Sequence, residues 1–308
     1  MAVAVGDFED DHVAGAAEVL RRAHERHLRR QPLLARDPDV EGLIRREREQ
    51  ASGVVALDGE RVVGYLLGRH ASGPIGPHVW STSAGHAADD PDLVFELYRA
   101  AAATWVDLGM SRHFVFAPAV RERVEPWFRL GFGASAFQAA RPVDEPDPFR
   151  ARDVTVRLST PADLPDVAAL AREQARHLRS SPSFSELAVE SLEATMEEWR
   201  DTWGKPEYAH LVAERAGQVV GQLLLFERPP GDLRVPRASI DLASATTAEA
   251  VRGLGIGRTL TSAAIEWARE HDAKVMTADW RATNLDAARF WPRRGFRATY
   301  LRLYRSIP

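Results

Sequence analysis

Cysteine is absent from all 308 residues, which excludes a disulfide framework, a thiolate nucleophile and any cysteine-held zinc or iron–sulfur centre. No apolar run approaches the roughly 18 residues of a membrane span. The acidic start Met1-Ala-Val-Ala-Val-Gly-Asp-Phe-Glu-Asp-Asp11 has neither the basic end nor the apolar stretch of a signal peptide. A cytoplasmic protein with no membrane partner is therefore expected. Lysine is nearly absent: Lys205 and Lys274 stand alone among 40 basic residues, a codon bias toward arginine that says nothing of function. Excess positive charge is lacking too. The formal net charge of −4 gives no general attraction to phosphate backbones, so nucleic acid is not an expected partner. The ten histidines show no paired metal-ligand spacing, so no metal is expected and packing or surface roles are assigned to His210 and His271.

What is present suits two globular domains: 45% hydrophobic and 27% charged residues, over about twice the length of an ordinary domain. The segment Arg141-Pro-Val-Asp-Glu-Pro-Asp-Pro-Phe-Arg150 carries three prolines that forbid regular helix, and marks a boundary. Phrases recur on either side of it. His27-Leu28-Arg29 answers His177-Leu178-Arg179, Val62-Val63-Gly64 answers Val219-Val220-Gly221, and Trp127-Phe-Arg-Leu-Gly131-Phe132 answers Trp291-Pro-Arg-Arg-Gly295-Phe296. The chain reads as one domain written twice, over residues 1–145 and 152–308. Each copy opens with a strand and a helix; the second copy's helix carries the stripe Leu164, Val167, Leu170, Ala171 and Leu178. A hairpin follows, turning at Asp58-Gly59 in the first copy and at Ala216-Gly217 in the second. The order strand, helix, strand, helix, strand then predicts an α/β (α+β) class, each half a mixed, mostly antiparallel sheet flanked by helices.

One segment of the second half points to chemistry. The strand Ser239 to Thr247 runs through Ala-Glu-Ala-Val-Arg252-Gly253-Leu254-Gly255-Ile256-Gly257-Arg258 into a helix with Ile256, Leu260, Ala264 and Trp267 on one face. Such a turn sets backbone N–H groups, unblocked by side chains, at the positive end of a helix dipole, a cradle for pyrophosphate. It is neither the Gly-x-Gly-x-x-Gly dinucleotide fingerprint nor a P-loop, which needs Lys-Ser/Thr; taken alone it is equally well a tight strand-to-helix corner. Downstream, Lys274 to Trp280 reads as a strand and Asn284-Leu-Asp-Ala287-Ala-Arg-Phe290-Trp291-Pro-Arg-Arg-Gly295-Phe296 as a short helix ending at glycine.

Together, Arg252-x-x-Gly255-x-Gly257 and Asn284-x-x-Ala287 with its closing Gly295-Phe296 resemble the two recurrent motifs of the GNAT superfamily of acyl-CoA-dependent N-acyltransferases, in order and spacing, over about 150 residues. The resemblance implies two tandem GNAT-like domains, the first degenerate, and acetyl-CoA as co-substrate. The backbone at Thr246, Thr247 and Ala248 would then pair with the pantetheine arm. Arg252, Gly253, Leu254, Gly255, Ile256, Gly257 and Arg258 would hold the pyrophosphate. Asn284 would bond the cofactor or cap its helix, two readings that are compatible. The family's tyrosine acid falls at Trp291, which cannot give up a proton. Tyr300, Tyr304 and Tyr208 are then the available phenols, while Trp291 and its counterpart Trp127 read as packing anchors. In the first half Asp90-Pro91-Asp92-Leu93-Val94-Phe95 stands where the cradle would be, and Val120 where the asparagine would be; two acids there would repel a pyrophosphate.

The reaction implied is attack of an amine, in a ternary complex, on acyl-CoA. An ammonium must first lose a proton, so the site needs an acceptor. Asp241, eleven residues before Arg252, has the spacing of the family's catalytic carboxylate or is a structural strand acid; Glu249 is a lesser candidate. Glu186, Glu190, Glu193 and Glu197 recur at helical spacing opposite Leu192, Met196, Trp199 and Trp203, forming a solvated face or a wall attracting a cationic amine. The cluster Arg21, Arg22, Arg26, Arg29 and Arg30 reads as an exposed or docking face. The expected enzyme is a monomeric or homodimeric N-acetyltransferase of a small-molecule amine. The alternatives are acetylation of a protein amine, or a non-catalytic acyl-CoA-binding module.

Overall fold

The computed structural model describes residues 3–185, 189–229 and 231–308, leaving Glu186 of the acidic stripe outside the described residues. The chain forms two compact units: residues 1–138, 230–236 and 298–308 make the first, and residues 139–229 and 237–297 the second.

In chain order the first half folds as β1 (Ala4–Asp7), α1 (Val13–Arg30), α2 (Val40–Arg48), β2 (Ala51–Asp58), β3 (Arg61–Ala71), β4 (His78–Ser81), β5 (His86–Ala88), α3 (Leu93–Asp107), β6 (Arg112–Pro118), α4 (Arg121–Arg129) and β7 (Gly133–Pro142). The second follows with β8 (Thr155–Leu158), α5 (Leu164–Arg179), α6 (Leu192–Arg200), β9 (Tyr208–Arg215), β10 (Gln218–Phe226), β11 (Ser239–Thr247), α7 (Ile256–Glu270), β12 (Val275–Arg281), α8 (Leu285–Phe290) and β13 (Arg297–Ser306). The repeat seen in the sequence is thus a repeat of elements. The hairpin turn at Ala216-Gly217 has both residues at positive φ, as a two-residue loop requires. The first-half turn sits one residue later than expected: Asp58 pairs with Arg61, leaving Gly59 (φ +66°) and Glu60 as the loop.

Gly64 and Gly221 occupy the same place in β3 and β10 and serve the same purpose. A Cβ at Gly64 would meet Leu97 of α3 and Ala88, and one at Gly221 would meet Leu260 and Ile256 of α7 at 2.9 and 3.1 Å. Bare backbone lets each helix lie close on its sheet. In the second unit the other face is covered by α5 and α6, with Leu164, Val167, Trp199, Val212 and Leu224 packed together.

The compact units do not coincide with a single cut near residue 146. The strand order of the first unit is β1-β2-β3-β4-β6-β13 followed by the first part of β7, and that of the second is the last part of β7, then β12-β11-β10-β9-β8. β13 is written at the end of the second repeat but pairs antiparallel with β6, from Tyr300↔Pro118 to Ser306↔Arg112. Its Tyr300, Leu301 and Leu303 are buried in the first unit's cores, and Leu233, from the β10–β11 connection, joins them. Hydrophobic periodicity marks a strand and its buried face but not which sheet edge it fills, so the expectation of consecutive domains stopped short of this.

Each of the three β13 side chains contributes roughly 1.5–3 kcal/mol by burial, together a large share of an ordinary domain's 5–15 kcal/mol. A chain ending at Arg297 is therefore expected to lose hydrogen-exchange protection along β6 in the first unit; full protection of residues 112–118 in that truncation would refute the assignment.

Candidate functional site

The parallel ladder between β11 and β12 has four rungs, Ser239↔Val275 to Leu242↔Ala278, and ends there. Antiparallel pairing of β11 with β10 continues to Gly221↔Thr247. Beyond Leu242 one edge of β11 is therefore held while the other has parted from β12. A bulge lies at the same point: Leu225 pairs with Leu242 and Leu224 with Ser244, so Ala243 is left without a rung. The result is a cleft opening between two strands at the level of residues 243–247.

At the top of that cleft, Gly253 and Gly255 stand at φ +81° and +83°, a left-handed conformation that lets the backbone double back into α7. Gly255 is the N-cap of this 15-residue helix; no side chain caps it and its first turn holds no acid. A Cβ on Gly255 would lie 2.8 Å from the ring of Phe149, whereas one on Gly253 would meet nothing within 4 Å. An open, uncapped helix N-terminus with unpaired dipole is a fit for an anion such as a pyrophosphate. Arg252 is exposed and loosely paired with Glu173 (3.9 Å), whose Oε1 also accepts from the Glu249 N–H (2.6 Å). Arg258 is anchored: its guanidinium lies over the Phe149 ring (4.3 Å) and donates to Asp147 (2.9 Å).

The face of β11 toward α5 is polar where the strands part. Gln174 Oε1 accepts from Ser244 (3.0 Å) and Thr246 (2.9 Å). Gln222 Nε2 donates to Ser244 (2.9 Å) and Thr246 (3.3 Å), while Gln222 Oε1 is buried without a partner among the described residues. Sequence reading missed both glutamines. The available signal was polar Ser244 and Thr246 recurring at strand period, alternating with Ala243 and Ala245.

The expected site residues fare differently. Thr246, Thr247, Ala248 and residues 252–258 lie together along the cleft and its turn. Asn284 is the N-cap of α8, its Oδ1 accepting from the Ala287 N–H (3.2 Å). Trp291 is buried against Phe290 and Phe296, and Trp127 against His86, Tyr98 and Phe132, so both are packing anchors. Asp241 is only 2% exposed. Its Oδ2 accepts from Arg228 Nε (3.0 Å) and Nη2 (2.7 Å), and its Oδ1 from Thr277 Oγ1 (2.6 Å). A carboxylate so enclosed and paired is a structural anchor rather than an open proton acceptor. Tyr300 and Tyr304 belong to the first unit: Tyr300 is fully buried, with its phenol held well above the usual range by burial, and Tyr304 stacks on Phe114. Tyr208 is the phenol of the second unit, on β9, stacked on Phe226, which faces Asp241 across the sheet.

One further acid was missed. Thr277 shares a face with Asp241, and Asp279 lies two residues on, hence on the same face, exposed, one residue past the last rung of the ladder. The histidines pack: His210, lowered to about 4 by burial, stacks on Trp203 and bonds Thr202, and His271 stacks on Trp267. Glu193 and Glu197 are exposed on α6, a solvated face.

Residues 172–296 match the acetyltransferase (GNAT) family, so the second half carries a GNAT domain. The whole chain has the tandem GNAT fold. It is similar to the crystal structure of a GCN5-related N-acetyltransferase from Sphaerobacter thermophilus (TM-score 0.63, 14% identity, 99% of this chain and 95% of that one). It is similar also to a tandem GNAT protein from the clavulanic acid biosynthesis pathway (0.55, 12%, 99% and 98%). A third likeness is to the glucosamine N-acetyltransferase region of a fungal multi-domain β-N-acetylglucosaminidase (0.60, 14%), covering 98% of this chain and 38% of that one. No curated protein matches the sequence.

Removing Asp241 strands a half-buried guanidinium. Asp241→Ala is expected to lower stability by about 2 kcal/mol in urea denaturation, less than a fully buried pair because Arg228 is partly solvated; an unchanged midpoint would mean that the pair anchors nothing.

Proposed function

We propose that the second unit is an acetyl-CoA-dependent N-acetyltransferase acting on a small-molecule primary amine. The observation that carries this reading is the conjunction of two features: the cleft where β11 parts from β12, and the uncapped, glycine-turned start of α7 directly above it. Residues 252–258 would hold the pyrophosphate through backbone N–H groups, with Arg252 adding charge, and the freed edge of β11 from Ala243 to Thr247 would bond the pantetheine amides. Acetyl-CoA supplies an activated thioester; everything else falls to this chain.

The amine enters from the face of α5 and α6. There it must be neutral to attack, and the ammonium proton needs an acceptor. In this reading Asp279 takes it, directly or through one water, while Asp241 and Arg228 hold the strands that flank it. Gln222 Oε1 is the polar atom placed to accept from an N–H on that face. A backbone N–H of the parted edge polarises the thioester oxygen as it gains charge. The nitrogen–acyl bond forms as the carbon–sulfur bond breaks, and the departing thiolate takes a proton from solvent or from Tyr208.

Acetyl-CoA with a panel of primary amines, followed by released thiol, tests the reading; a cysteine-free protein gives no background. Asp279→Asn is expected to lower kcat by about 10²–10⁴-fold and leave acetyl-CoA affinity intact. Turnover with no amine in the panel, or full kcat in Asp279→Asn, would go against the acceptor and the role assigned here. Acetyl-CoA binding without any turnover would favour the binding-module reading.

A further inference from the structure

In the first unit the parallel strands β4 and β6 also part, after Ser81↔Val115. β5 continues on β3 alone, with His86 Nε2 bonded to the Phe116 carbonyl (2.9 Å) across the opening. Between them lies a cavity of about 440 Å³, all of whose lining residues belong to this unit. Part of its wall is apolar, formed by Ala87, Val94, Val120 and Trp127. Four arginines line the cavity: Arg29 and Arg30 are exposed, while Arg26 and Arg123 are partly buried against its apolar part. Arg26, expected on an exposed or docking face with Arg21 and Arg22, lines the cavity, with Nε and Nη2 buried and lacking any hydrogen-bond partner among the described residues. Its neighbours do what was expected of them: Arg21 pairs with Glu18, and Arg22 with Asp89. Arg123 donates to the Ala88 carbonyl (2.8 Å), and no carboxylate lies within ion-pair distance of it among the described residues. Burial, and next the nearby Arg26, hold Arg123 below its ordinary value, against the pull of Asp89, Glu122 and Asp90.

Two like charges brought together at an apolar wall are unfavourable unless an anion joins them. The chain's own acids do not. Glu122, at the cavity's edge, is exposed and committed to Arg30 (2.8 Å). His27 and His86 are lowered to about 4 by burial, so they are neutral at pH 7 and the positive charge is that of the arginines.

A pyrophosphate does not fit here. The helix that opens beside the cavity, α3, is led in by Asp90-Pro91-Asp92, with Asp92 as its N-cap, and Pro91 has no N–H. The Asp92 N–H is bonded to Asp90 Oδ1, and the N–H groups of Leu93, Val94 and Phe95 turn back onto the carbonyls of Asp90, Pro91 and Asp92. A single small anion with an apolar body meets neither obstacle: a carboxylate can bridge the two guanidiniums bidentately while its hydrocarbon lies against Val94, Val120 and Trp127. We propose that the cavity of the first unit is a binding site for a hydrophobic monocarboxylate, held by Arg26 and Arg123 and separate from the acyl-CoA cleft of the second unit.

The test uses the full chain, with 2-naphthoate as probe and the neutral 2-naphthamide as its control, titrated by calorimetry. Naphthoate is expected to bind one site per chain, at least tenfold more tightly than the amide. Arg26→Met and Arg123→Met, which keep much of the apolar stem, are each expected to weaken it tenfold or more, with the thermal midpoint as the check on folding. Should either variant fail to fold, Val120→Trp, which fills the cavity instead, is expected to abolish binding. Acetyl-CoA affinity is expected to stay the same in all of these, so a failure of this proposal is distinguishable from a failure of the acetyltransferase reading. Equal binding of acid and amide, no binding of naphthoate, indifference to the substitutions, or displacement of naphthoate by acetyl-CoA would each overturn it.

Discussion

The structure turns on the place where two parallel strands stop pairing. Four rungs hold β11 to β12, and a bulge at Ala243 marks where the ladder ends. From there β11 keeps one hydrogen-bonded neighbour and offers its other edge to whatever enters. Everything chemical in the second unit is arranged about that edge: the glycine turn and α7 above it, the Gln174–Ser244–Thr246–Gln222 network on one face, and the Asp241–Arg228–Thr277 anchor at its root. An unmade rung in a sheet interior is costly unless a ligand completes it, which is why such a fork is a natural site for an amide-bearing arm.

The same fork occurs in the first unit, and comparison of the two shows how a repeated fold diverges in chemistry. Gly64 and Gly221, Gly131 and Gly295, and Trp127 and Trp291 hold equivalent positions in both repeats, so the framework is common. What differs is the start of the helix beside the fork. Gly253 and Gly255 leave backbone N–H groups open in one; in the other, Asp90 and Asp92 close them internally. The second fork is left with dipole and glycine, and the first with a partly apolar wall and guanidiniums. One favours a diphosphate, and the other a single anion with a hydrocarbon body.

Much of this was legible in the sequence, and for identifiable reasons. The repeat, the Ala216-Gly217 hairpin, the strand into Arg252–Arg258 and the helix capped by Asn284 all rest on local signals: turn residues, period, and glycine where φ must be positive. Trp291 as a packing anchor followed from its twin at Trp127. The roles that depend on partners distant in sequence were not legible. Asp241 has the spacing of a catalytic carboxylate, yet Arg228 and Thr277, thirteen residues before it and thirty-six after, turn it into an anchor. Tyr300 had a usable phenol but sits on a strand whose edge partner is β6, in the first unit. Arg26 read only as part of an exposed or docking face, because a helical stripe records spacing and not what lies over it. Asp279 and the two glutamines carried no motif at all and became visible only once the register of β11 on β12 and β10 was known.

The central claim is that one fork, not two, is built for acyl-CoA. Calorimetric titration of the full chain with acetyl-CoA reads this directly as a stoichiometry. The account predicts one site per chain, lost when Gly255 is replaced by valine. Two sites per chain, or a single site indifferent to Gly255→Val, would contradict it.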